Sequence, residues 1–125
     1  MNDTVREWIA KAEADWATAR REMAVQGEPN YDAVCFHAQQ AIEKLLKAAL
    51  IHHRTTPPRT HDLPELSRLL TQARPTWSWS VGDLGFVSRA AVVFRYPGES
   101  AEQEDAAEAL RLAAPLRDAL VKLLA

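Results

Sequence analysis

The run from Asn30 to His53, NYDAVCFHAQQAIEKLLKAALIHH, decides how the rest of the chain is read. Tyr31, Val34, Cys35, Ala38, Ile42, Leu45, Leu46 and Ala49 recur at helical spacing and share one face. Gln39, Gln40, Glu43, Lys44 and Lys47 fall on the opposite side, as in an amphipathic helix. Neither Gly nor Pro interrupts the run. Asn30 is placed to cap it, and Asp32 lies in the first turn, where a negative charge suits the helix dipole.

Working outward, Val5, Trp8, Ile9, Ala12, Trp16, Ala19 and Met23 predict an earlier helix from about Asp3 to Val25. Gly27 and Pro29 end it, and the short link to Asn30 implies an antiparallel hairpin. Beyond the central run, consecutive prolines in Thr55–Thr60 make a loop. Asp62 caps a third helix with Pro64 in its first turn and Leu63, Leu66, Leu69 and Leu70 as its stripe. Trp77 and Trp79 follow Pro75; they either close the end of the core or form a partner surface. Ser80 to Asp83 reads as a capping box for a fourth helix to about Phe94. Leu84, Val87, Ala91 and Val92 are expected to face inward. Phe86, Val93 and Phe94 make that helix apolar on other sides too, as expected of a helix buried by its neighbours or by a second subunit. Ser100-x-x-Gln103 predicts the start of a fifth helix, from about Ala101 to Leu124, which Pro115 should kink or split. With no strand signal, the chain is expected to be all-α. It reads as a single domain over 1–125: an up-and-down bundle of about five helices, long in the first, second and fifth.

Composition narrows the function classes. The 125 residues are 47% hydrophobic, enough for one core. The formal charge of −2 supplies no global field for nucleic acid, so any phosphate contact must come from a local patch. Cys35 is the only cysteine, which excludes an internal disulfide, and its place on the apolar face reads as core. No signal-peptide core and no apolar run of membrane length is present, so a cytoplasmic location away from the membrane is expected. The four histidines lack metal-binding spacing, and phosphate-loop, dinucleotide and nucleophile-elbow motifs are absent, so neither metal nor cofactor is expected.

What remains is Arg with His. His carries protons near neutral pH, and the planar Arg fork matches phosphate oxygens. Arg54 and His61 stand seven positions apart across the Pro-rich loop. Arg89, Arg95 and Tyr96 lie on or just after the fourth helix. Arg59 adds a further cation, and His37 forms a polar stripe with Gln40 and Lys44. If the loops converge at one end of the bundle, Arg54, Arg59, His61, Arg89 and Arg95 make a local basic patch. Each has a structural alternative. His61 would fix the third helix through the T-H-D-L loop, His37 would make a flank or dimer contact, and Arg95 would bridge helix-end carbonyls in R-Y-P-G.

The motif F-x-A-Q-Q-A-x-E-K-x-x-K-A-x-L at Phe36–Leu50, followed by P-x-T-H-D-L at Pro58–Leu63, resembles the HEPN domain family. The resemblance covers nearly the whole chain. It implies a helical bundle, a homodimer and pairing with a minimal nucleotidyltransferase in a toxin–antitoxin-like cassette, with nucleotide or RNA as ligand. Ribonuclease members of that family carry Arg and His four to six residues apart near a late helix, often followed by Tyr. Here Arg89 and Arg95-Tyr96 occupy that region, with Arg95 where the His would stand. A metal-independent endoribonuclease using Arg54 and His61, or the Arg89–Tyr96 segment, is therefore the alternative. A purely structural dimer is the third reading.

Overall fold

The central run is the helix α2, Tyr31–His52, in the computed structural model, which describes residues 2–94 and 96–125. Asn30 caps it through its side chain, which accepts from the Ala33 N–H at 3.0 Å. Before it comes α1, Asp3–Met23; after it come α3, Leu63–Ala73, α4, Val81–Val93, and α5, Gln103–Leu124. The result is an up-and-down bundle of five helices, with no strand among the described residues. Gly27 turns the chain between α1 and α2 at φ 96°, a value that residues with a Cβ rarely adopt.

The physical centre is α2, because the other four helices all pack on it, α1 and α5 most extensively. Ile42, Leu45, Leu46 and Leu50 are fully buried, against Val5 and Trp16 of α1, Leu63, Leu66 and Leu70 of α3, Leu84 and Val87 of α4, and Leu116 and Leu120 of α5. Each buried Leu or Ile contributes about 1.5–3 kcal/mol relative to exposure. Alanines at 38, 41, 48 and 49 let neighbouring helices approach on several sides. A smaller apolar cluster, Val34, Cys35, Ala90, Ala101, Ala106 and Ala109, joins the start of α2 to α4 and α5.

That crowding corrects the amphipathic reading of α2. Gln39, Glu43 and Lys47 are 3%, 4% and 8% exposed, so its polar side is largely interior. Three other expectations change. Val92 does not face inward: it is 49% exposed, and Ala90 takes the buried place. The start of α5 is closed by Glu102 and Asp105, not Ser100 and Gln103. Pro115 does not split α5, which runs through it unbroken; Pro115 lies on the exposed side. Trp77 is buried, with its indole N–H donating to Ser67 Oγ at 2.9 Å and its ring stacked on Trp79, so it closes the core. Among the described residues, no helix is long and apolar enough to cross a membrane.

Candidate functional site

Glu43 sits inside a ring of donors. Its Oε1 accepts from Gln39 Nε2 at 3.0 Å and from His61 Nδ1 at 2.9 Å, and its Oε2 accepts from Lys47 Nζ at 3.0 Å. Helical spacing makes this possible, since residues 39, 43 and 47 lie one turn apart on one face of α2. Burial pushes the Glu43 carboxyl up, but the hydrogen bonds from Gln39, His61 and Lys47, with the Lys47 charge, outweigh it. Its pKa therefore lies below the ordinary carboxylate value, and Glu43 is an anion at neutral pH. Lys47 in turn lies 6.0 Å above the Trp8 ring of α1.

The backbone of His61 is held as firmly as its ring. Gln39 Nε2 donates to the His61 carbonyl at 3.1 Å, and Ser88 Oγ of α4 does so at 3.3 Å. The same Ser88 oxygen accepts from the Leu63 N–H at 3.3 Å, which pins the start of α3 to α4. Gln40 completes the chain by donating to Gln39 Oε1 at 2.8 Å. Asp62 caps α3 as expected. The His61 side chain is nevertheless 78% exposed. Nδ1 is turned onto Glu43, and Nε2 has no hydrogen-bond partner among the described residues.

His61 opens onto a groove of about 480 Å³ lined also by Asp62, Pro64, Gly85, Ser88, Arg89, Val92 and Val93. Arg89 makes no hydrogen bond or ion pair with any described residue. Its guanidinium folds back over Gly85: a Cβ at position 85 would stand 2.8 Å from Arg89 Nη1. A smaller hollow of about 260 Å³ continues past His61 to Phe36, Gln39 and Gln40. The groove thus combines an unpaired cation, an oriented imidazole and an apolar wall. That set suits a phosphate-bearing organic ligand.

Of the residues singled out from the sequence, His61 and Arg89 come together. His37 and Lys44 form a separate cluster on Asp15 of α1, at 2.8 Å and 2.5 Å, and tie the hairpin. Arg54 and Arg59 are exposed loop residues outside both hollows that His61 lines. Arg54 instead ends α2: at φ 59° it places its own N–H on the Ile51 carbonyl and the Thr55 N–H on the Leu50 carbonyl, both at 2.9 Å. Tyr96 is exposed, and Arg95 lies outside the described residues. Glu43, Gln39, Lys47 and Ser88 were missed as site residues. The one available signal was the four-residue spacing of Gln39, Glu43 and Lys47.

The model of the HEPN domain matches residues 5–124. The chain belongs to the HEPN domain family. Two solved structures share the HEPN fold seen here. TT1696 from Thermus thermophilus superposes with a TM-score of 0.78 at 22% identity, covering 98% of this chain and 99% of that one. ST0689, described as an archaeal HEPN homologue, gives 0.66 at 23% identity, covering 94% and 95%. A search of curated protein sequences returned no match.

Proposed function

We propose that this HEPN protein binds the phosphate of a nucleotide or RNA in the groove between His61 and Arg89. It does so as a homodimer partnered with a minimal nucleotidyltransferase in a toxin–antitoxin-like pair. The observation that carries the ligand reading is the unpaired Arg89 guanidinium lying over Gly85 in the groove that His61 also lines. A local site is what a chain of net charge −2 needs in order to hold a polyanion at all. HEPN membership supports the partner. The exposed Val92 and Val93 on α4 support the dimer, because apolar residues at 49% and 44% exposure border the same groove.

Calorimetric titration with adenosine monophosphates and a short RNA tests the ligand reading. Arg89→Ala is expected to weaken binding by about tenfold to a hundredfold, the worth of a charge-assisted hydrogen bond to phosphate. Binding unchanged in Arg89→Ala refutes the site. Co-purification with a nucleotidyltransferase encoded beside this chain tests the partner, and light scattering of wild type beside Val92→Glu tests the dimer, which a monomeric wild type would refute.

A further inference from the structure

α1 and α5 both pack on α2 but hardly touch each other, and a second groove of about 420 Å³ lies between them. It shares no lining residue with the groove at His61. Met23, Leu110 and alanines of both sides make its walls apolar, and three polar side chains interrupt them: Trp16, Arg20 and Arg111. All three are donors, and no carboxylate, hydroxyl or amide side chain lines the groove. Trp16 is 8% exposed, yet its indole N–H makes no hydrogen bond with any described residue. No buried side-chain nitrogen or oxygen among the described residues is left unsatisfied, so that N–H reaches the surface where Trp16 lines the groove. The Arg20 side chain is exposed and makes no hydrogen bond or ion pair with any described residue. Arg111 donates through Nε to Glu108 and keeps its terminal N–H groups. Glu13 meets Arg117, whose Nε donates to it at 3.1 Å, and in the antiparallel register this sets, Arg20 lies level with Leu110 and Arg111. The same ion pair crosses from α5 to α1 three residues beyond Trp16 and Ala114 and closes that end of the groove.

We infer that the groove between α1 and α5 binds a small amphiphilic monocarboxylate. Its head accepts from the N–H groups of Trp16, Arg20 and Arg111, and its hydrocarbon body lies on Met23, Leu110 and the alanines. Donors without acceptors call for a head that only accepts, which is the character of an ionised carboxylate. Glu108 offsets the charge of Arg111, so Arg20 supplies the uncompensated positive charge, a match for a monoanion and not for a doubly charged phosphate monoester. Length selects as well. The stretch from Trp16 to Ala24 is about 12 Å of helix, and one end is shut by Arg117 and Glu13. That fits a short acyl chain, whereas a partner helix would need a groove open at both ends. The site is independent of the phosphate reading above and would stand without it.

The test titrates the protein with octanoate, with 1-octanol as the neutral analogue and butyrate as the truncated one. Calorimetry reads the affinity, and the nitrogen-15 cross-peak of the Trp16 indole, assigned with Trp16→Phe, reads the place. Octanoate is expected to bind saturably with Kd below about 1 mM and to move that cross-peak. Octanol should bind about tenfold more weakly or worse, having lost the charge-assisted hydrogen bonds. Butyrate should bind about a hundredfold more weakly, since each methylene removed costs roughly threefold to fourfold. Arg20→Met keeps the stem at an exposed position, so the fold is undisturbed, and it should weaken octanoate about tenfold. Equal binding of octanol and octanoate, binding unchanged in Arg20→Met, or a Trp16 cross-peak that stays still during saturation each overturns the inference. So does the absence of saturation by about 10 mM, which would leave the groove to an occupant of another kind, such as a partner's helix.

Discussion

Glu43→Ala removes the acceptor of three side-chain donors at once. His61 is exposed and can turn to water, and Gln39 keeps the His61 carbonyl. Lys47 cannot compensate: its side chain is 11% exposed, and Glu43 is its ion-pair partner. The dominant cost is an ammonium left buried without a counter-charge, about 3–5 kcal/mol. For a domain of this size that lowers Tm by roughly 10–20 °C. The companion variant Glu43→Leu/Lys47→Met removes both charges and keeps the volume, so it is expected to stay within about 1 kcal/mol of wild type. Urea unfolding gives both values from the shift in midpoint at constant slope. A loss under about 1 kcal/mol in Glu43→Ala refutes the reasoning, as does a double variant as unstable as the single one. The pH dependence has a fixed sign. The folded-state pKa of Glu43 is depressed, so on acidification the unfolded chain takes up the proton first. The contribution is full above the ordinary carboxylate value and disappears as pH falls through the folded one. Wild type should therefore lose more stability than Glu43→Gln as pH falls through and below the ordinary carboxylate range.

Two further outcomes are expected. Cys35 is fully buried, and burial, followed by the charges of Asp105 and Asp32, pushes its thiol up to about 11. Alkylation near pH 8 should therefore track global unfolding measured in parallel, and fast labelling of the folded protein would contradict the packing around α2 and α5. Arg54→Gly should raise stability by about 0.5–1 kcal/mol in thermal melts, because glycine adopts the left-handed conformation at the end of α2 without penalty. It should leave nucleotide binding unchanged; a loss of binding would return Arg54 to the site.

Much of the fold was legible because its signals are local. Asn30, Asp62 and Ser80 cap the helices they were expected to cap, since a side-chain oxygen three residues before a free N–H is a matter of short-range geometry. The helical period likewise marked the core positions of α1 and α3. The capping pair at α5 was less legible, because Ser100, Glu102, Gln103 and Asp105 offer overlapping choices within one turn.

The candidate site was legible only in part. His61 and Arg89 stood out as chemistry-bearing residue types, but nothing in their separation along the chain indicates that they share a groove. Arg54 looked like the natural partner of His61 by spacing, yet its place is set by how α2 ends. Glu43 and Lys47 looked like a solvated pair on an amphipathic face. Their burial depends on α1, α3, α4 and α5 all closing on α2, which no pattern within α2 encodes.

The sequence by itself determined the helices, their caps and the family, because periodicity, capping and motif are properties of neighbouring residues. Only the tertiary structure decided which polar groups are interior, which nitrogen of His61 meets Glu43 and which arginine lines the same groove. Those follow from desolvation and from contacts between residues 18 to 27 positions apart, as in His61 with Glu43 and with Ser88. Against the pull of burial, the hydrogen bonds from Gln39, His61 and Lys47 keep Glu43 the anion that a surface histidine meets.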